Sequence, residues 1–163
     1  MRLENKLKTN SDMKHWYFIG LLLLIGVSSC KRAPVEIPVK ELKRLVLARG
    51  DTAAYNKLIL VSADKKRPED NLIYAMIMAH RYNYAPAYSE VYNCLERIFA
   101  TYGNVMDDTT KEMALKYLNE GVELKDYNAL SILRSLYEEG VYLPKDTAMV
   151  EKLDEEMKAH SPL

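Results

Sequence analysis

The chain has 163 residues, of which 48% are hydrophobic and 28% are charged, an ordinary balance for one globular domain. Lysine plus arginine equals aspartate plus glutamate, at 23 each, and neither sign forms a long block. The composition therefore excludes a disordered chain and an extended basic surface for nucleic acid, so no DNA or RNA partner is expected.

An apolar run from Trp16 to Val27 follows a short basic stretch and precedes two serines and Cys30. This run is too short to cross a bilayer core, which needs roughly 20 residues, but it suits the hydrophobic region of a signal peptide. The residues before Met13 are polar and unlike the start of a signal peptide, so Met13 is the expected translation start. We predict that residues 1–29 are a signal peptide.

The last residues of this segment, Val27-Ser28-Ser29-Cys30, resemble a bacterial lipobox, whose cysteine is acylated and becomes the mature N-terminus. The alternatives are a signal anchor and an ordinary secretory signal with a chance cysteine. Several acyl chains hold a protein firmly on a membrane, because each buried CH₂ contributes roughly 0.8 kcal/mol. Residues 30–37 then comprise the lipidated cysteine and a short linker.

The residue after the lipobox bears on which membrane holds the protein. An aspartate there resembles an inner-membrane retention signal, whereas this chain has Lys31. No acidic cluster like the export tag of some gut bacteria follows Cys30. The resemblance implies an outer-membrane lipoprotein whose domain faces the periplasm, with the inner membrane and the cell surface as alternatives.

From residue 38 to residue 160 the sequence has only helical patterns, which predict an all-α domain of about seven helices in antiparallel pairs. Gly50 suits the end of the first helix, Asp51 the N-cap of the second and Pro68 the first turn of the third. The residues expected to face the core are Leu42, Leu45, Val46, Ala54, Leu58, Val61, Leu72, Ala75, Met76, Ala79, Ala87, Val91, Cys94, Ala129, Leu133, Leu136, Val150, Leu153 and Met157.

Part of the helical pattern is repeated. Segments that begin at Gly103 and Gly140 each contain a valine, an acidic turn and an apolar helical pattern. In three second helices Ala54, Ala87 and Ala129 begin the same spacing of apolar residues, and these alanines are 33 and 42 residues apart. Those intervals bracket the period of about 34 residues in tetratricopeptide-type repeats. The spacing predicts a short α-solenoid of helix pairs.

Residues 100–153 resemble the Sel-one-like repeats, short relatives of the tetratricopeptide repeat. The residues at matching places are Ala114, Tyr117, Leu118, Ala129, Leu133, Tyr137, Gly140, Val141 and Asp146. The chain departs from the pattern at Gly121, where an alanine is usual, at Lys125, where the turn glycine would be, and at Met149, where the next alanine would fall. The resemblance implies a scaffold for protein interactions and no catalytic activity.

Few residues could bind a metal or carry catalysis. Apart from Cys30, the mature chain offers Cys94, His80 and His160, which are too few for a zinc site, so no metal and no cofactor is expected. Cys94 continues the apolar face of its helix and is interpreted as a buried hydrophobe. There is no glycine-rich phosphate loop and no nucleophile motif. We therefore expect that the protein is not an enzyme.

Tyrosines are concentrated near the middle of the chain, where three of them are spaced four residues apart. They could be packing residues between helices, with their hydroxyls reaching water. They could also form a recognition patch, because tyrosine and arginine are enriched in binding hot spots. The candidate binding residues are His80, Arg81, Tyr82, Tyr84, Tyr88 and Tyr92.

These features predict a membrane-tethered helical-repeat scaffold or adaptor that binds another envelope protein or a peptide. The alternative is an immunity or inhibitor lipoprotein that neutralises a toxin acting in the periplasm, because inhibition needs only a complementary surface. A toxin gene next to this one would favour that alternative. A cell-wall hydrolase or sugar-binding module would need paired carboxylates or an exposed tryptophan, and Trp16 lies in the signal segment.

The Cys30→Ala variant tests the lipid anchor. Because acylation precedes cleavage in this pathway, we expect no lipid on the variant and either an uncleaved precursor or a domain released from the membrane. Mass spectrometry of the N-terminus and membrane fractionation measure both. Ser29→Ala keeps a small residue before the cysteine and is the control, which should be processed normally. Normal processing of Cys30→Ala would contradict the lipobox interpretation.

Overall fold

The structure is a computed structural model that describes residues 37–63, 68–103 and 105–160. These ranges contain seven helices and no strand: α1 (Val39–Arg49), α2 (Thr52–Ala63), α3 (Glu69–Tyr82), α4 (Ala85–Thr101), α5 (Asp108–Glu123), α6 (Tyr127–Glu139) and α7 (Thr147–Ala159). The predicted all-α fold is therefore confirmed, with the predicted number of helices.

Short and long connections alternate along the chain. Residues 50–51, 83–84 and 124–126 join α1 to α2, α3 to α4 and α5 to α6, and a longer connection follows each of these pairs. Such short connections make the two helices of a pair antiparallel. Every helix packs on the next one, and α1 also contacts α3, as α4 contacts α6. These second-neighbour contacts stack the pairs into a short solenoid.

Aspartates begin four of the helices. Asp51, Asp107, Asp126 and Asp146 each accept a hydrogen bond from the backbone N–H three residues later, at 2.8 to 3.1 Å. This is the N-cap contact, which satisfies one of the backbone donors left free at the start of a helix. Asp51 therefore caps α2, as its place in the sequence predicts.

The turn between α5 and α6 has a glycine-like conformation without a glycine. Lys125 has a φ of 60°, in the left-handed region, which costs a residue with a side chain roughly 1–2 kcal/mol. Gly140 adopts the same conformation after α6. Lys125 also forms an ion pair with Glu156 of α7, at 2.7 Å between Nζ and Oε2. Lys125 thus has the left-handed backbone conformation expected of a glycine at this turn.

The core runs through all seven helices and consists mainly of aliphatic, alanine and tyrosine side chains. Most of the residues expected to face it are buried, and the others, Leu45, Val61, Leu72, Met76, Val150 and Met157, are half-buried. Several buried residues were not predicted, among them Tyr55, Asn71, Met78, Met106 and Leu130.

Helices α4, α5 and α6 approach one another closely at Gly121. A Cβ atom added to Gly121 would lie 2.9 Å from the Cβ of Ala129 and 3.2 Å from the Cβ of Tyr88. The first distance is an overlap, because the optimal separation of two carbon atoms is about 3.5–4.0 Å. Gly121 therefore lets α5 lie closer to its neighbours than an alanine would allow.

Gly121→Ala should destabilise the protein despite the better helix propensity of alanine. Overpacking at a close helix contact costs about 1–3 kcal/mol, whereas the change from glycine to alanine gains roughly 1 kcal/mol in a helix. We expect a net loss of up to about 2 kcal/mol in the free energy of unfolding, measured by urea denaturation.

Ala129→Gly provides the control, because it removes the atom that the new methyl group would overlap. The double variant should be more stable than the sum of the two single effects, by at least about 0.5 kcal/mol. Additive effects would show that the two positions do not compete for the same space.

Candidate functional site

Two of the six candidate binding residues lie in the core. Tyr88 and Tyr92 are only 6% and 4% exposed. The hydroxyl of Tyr88 donates a hydrogen bond to Asn83 Oδ1 at 3.2 Å, and its ring lies 6.2 Å from that of Tyr117. Burial raises the pKa of Tyr92. Neither ring can contact a partner in the folded state, so both are packing residues, which corrects their inclusion in a recognition patch.

His80 lies on the surface and connects α3 to α5. Its Nε2 is 2.5 Å from the hydroxyl of Tyr117, and the two rings make an edge contact with 5.1 Å between their centroids. Among the described residues, no group of three histidine, cysteine, aspartate or glutamate side chains could hold a metal ion. The contacts of His80 in the structure are with the aromatic side chains of Tyr88 and Tyr117.

Arg81 and Tyr82 join the end of α3 to the end of α1. The carbonyl oxygen of Leu47 accepts hydrogen bonds from the Tyr82 hydroxyl at 2.9 Å and from Arg81 Nη1 at 3.3 Å. Leu47 is in the last turn of its helix, where carbonyl groups lack partners within the helix. The ring of Tyr82 covers Gly50, where an added Cβ would lie 2.3 Å from a ring carbon. Both side chains therefore have a structural role.

Tyr84 precedes α4 and contacts α2. Its ring makes an edge contact with Tyr55, with 5.7 Å between the centroids, and its hydroxyl lies 3.4 Å from both the amide nitrogen and the amide oxygen of Asn56. The six candidate residues thus do not form one exposed patch. Tyr55 and Asn56, which Tyr84 contacts, line a groove that the sequence patterns do not predict.

This groove, called here the α2/α4/α6 groove, lies among the second helices of three successive pairs. It has a volume of about 290 Å³ and is lined by Tyr55, Asn56, Ile59, Leu60, Pro86, Glu90 and Asn128. The lining combines apolar side chains with two amides and one carboxylate. Such a mixture suits contact with a polypeptide segment, which has both apolar side chains and backbone hydrogen-bonding groups.

The free thiol of Cys94 is buried near the same helices. Burial is the main cause, and the nearby carboxylate of Glu90 the second, that raises the pKa of Cys94 to about 12. A nucleophilic cysteine needs a lowered pKa and some exposure. The prediction that Cys94 is a buried hydrophobe is therefore confirmed.

Comparisons with protein-family models, with characterised proteins and with solved structures found no match to this chain. Along the part of the chain that the structure describes, no helix has the length and apolar character needed to cross a bilayer. Cys30 lies outside the described residues. The lipobox and the Sel-one-like resemblance accordingly stay predictions from the sequence.

The buried thiol and phenol groups should make the free energy of unfolding depend on pH in alkaline solution. Burial raises the pKa of Tyr55, Tyr92 and Cys94 above their ordinary values of 10.0, 10.0 and 9.0. As the pH rises past about 9, the unfolded chain releases these protons before the folded chain does. The free energy of unfolding should then fall, by up to about 1.4 kcal/mol per pH unit for each group.

Cys94→Ala should flatten this fall between pH 9 and pH 12, whereas Tyr102→Phe, which alters a tyrosine that is 66% exposed, should not. Urea denaturation over this pH range measures the slope. Equal slopes for the original chain and for Cys94→Ala would contradict the assigned pKa.

Proposed function

We propose that this protein is a lipoprotein of the bacterial outer membrane whose helical-repeat domain faces the periplasm and binds a segment of another envelope protein. The membrane anchor and the location rest on the sequence from Val27 to Lys31. The binding function rests on one observation in the domain, which is the chemistry of the α2/α4/α6 groove.

Leu60 supplies the main exposed apolar surface at this groove. Leu60 is 71% exposed and lies in the last turn of α2, next to Ile59. A single exposed leucine is ordinary on a protein surface. Here, however, the leucine borders a concave surface that also includes Pro86. Burying Leu60 under a partner would remove apolar area from water, which favours association.

The amides of Asn56 and Asn128 supply the polar contacts. Each amide can donate and accept hydrogen bonds at once, which matches the alternating N–H and C=O groups of a peptide backbone. The amide of Asn56 lies 3.4 Å from the hydroxyl of Tyr84. Glu90 forms an ion pair with Arg97, at 2.6 Å between Oε1 and Nη2. We therefore favour a partner segment that places an apolar side chain near Leu60 and its backbone near the two amides.

Leu60→Lys tests this proposal against Ile73→Lys. Both residues are exposed aliphatic side chains within helices, but Ile73 is 54% exposed and is not among the groove residues. Leu60→Lys should weaken partner binding at least about tenfold, the equivalent of about 1.4 kcal/mol. Ile73→Lys should leave the affinity unchanged, and both variants should unfold at nearly the same temperature as the original chain.

The partner must first be identified. A photoreactive amino acid at position 60 should give a discrete crosslinked product in intact cells, and the same amino acid at position 73 should not. Mass spectrometry then names the crosslinked protein, whose affinity for the two lysine variants is measured with purified components. Equal affinities for both lysine variants would exclude the α2/α4/α6 groove as the binding surface.

A further inference from the structure

Charge is distributed unevenly along the solenoid. α1 has four basic residues and one acidic residue, a net charge of +3, and α2 has one lysine as its only charged residue. Acidic residues outnumber basic ones in each of the helices from α3 to α7. The end of the domain that follows the predicted lipid anchor is therefore positive, whereas the far end is negative.

Three of the four basic residues of α1 lie on the face that points away from the core. Lys40, Lys43, Arg44 and Leu47 have the spacing i, i+3, i+4 and i+7, which places them on one side of the helix. We call these four residues the α1 stripe. Buried Leu42 and Val46 lie on the opposite side of the same helix.

The surroundings of the α1 stripe are partly apolar. A hollow of about 580 Å³ is bordered by these four residues together with Pro38, Glu41 and Tyr74. Leu47 is 38% exposed, and Lys43 lies over the ring of Tyr74 at 5.4 Å from the centroid. Glu41 pairs with Arg44 at 2.6 Å, so its charge is offset within the hollow. The two lysines leave a net positive charge there.

We propose that the α1 stripe lies against the anionic phospholipid headgroups of the membrane that holds the chain. Anionic membrane surfaces attract basic residues close to them, and leucine and tyrosine are suited to the boundary between headgroups and acyl chains. The short distance in sequence from the predicted lipid anchor supports this choice of ligand, because Ile37 is only seven residues after Cys30. A chain of that length reaches at most about 25 Å.

This inference rests on the proposed lipid anchor, and it adds an orientation to it. With α1 against the membrane, the negative helices at the other end of the solenoid point away from the bilayer surface. If the contact is electrostatic, the binding of α1 to the membrane surface should require anionic lipid and should weaken as the salt concentration rises. Exposed charges are strongly screened at about 1 M salt, where the Debye length is about 3 Å.

Fluorescence of the lipidated full-length protein in vesicles tests the orientation. An environment-sensitive dye is attached to Leu47→Cys, and in a separate sample to Glu155→Cys on α7, while the native Cys94 is buried. The vesicles contain phosphatidylcholine alone, or phosphatidylcholine with phosphatidylglycerol as roughly a third of the lipid. We expect a blue shift at position 47 only with phosphatidylglycerol, its loss at about 1 M salt, and no shift at position 155.

Lys40→Gln combined with Lys43→Gln should abolish the shift at position 47 while the protein stays attached to the vesicles. Slower amide hydrogen exchange of α1 in phosphatidylglycerol vesicles, measured on the unlabelled protein, should accompany the shift. Unchanged fluorescence and exchange in both kinds of vesicle would overturn the inference but not the lipid anchor. A purified chain without acyl groups on Cys30 would overturn both.

Discussion

The close approach of three helices at Gly121 is the constraint on which this solenoid depends. Hydrogen instead of a side chain at Gly121 lets Ala129 of α6 and Tyr88 of α4 pack directly against α5. The contact between α4 and α6 forms beside this point and joins two successive helix pairs. Because protein interiors are closely packed, even one methyl group at such a position must displace a helix. Helix spacing here is set by the smallest side chains of the chain.

Most of the fold could be predicted because its signals are local. A buried helix face gives a period of 3.6 residues, and a cap such as Asp51 lies next to the turn that it stabilises. Two departures from the repeat pattern were harder to interpret. Gly121 is explained only by side chains of two other helices, and Lys125 has a left-handed conformation that usually favours glycine. Sequence spacing contains no information on such distances.

The candidate site could be predicted much less well. The four-residue spacing of Tyr84, Tyr88 and Tyr92 predicts one helix face, but Tyr84 precedes α4, and spacing does not tell whether a face is covered by another helix. The residues of the α2/α4/α6 groove come from three segments, and Leu60 and Asn128 are far apart in the sequence. The sequence does not show that Leu60 is exposed, because Leu60 is one of four apolar residues in the run Leu58-Ile59-Leu60-Val61. Only the packing separates these four residues into buried and exposed ones.

The last helix has a consequence for how the domain opens. Among the described helices, α7 contacts only α6. Its ion pairs, such as the one between Arg134 and Asp154, are partly exposed, and ion pairs in contact with water contribute little to stability. In a linear array each element is stabilised by its neighbours, so an element with one neighbour opens most easily. The C-terminal helix can thus fray while α1 to α5 stay folded, and the side of α6 that it leaves is where a further helix pair could be added.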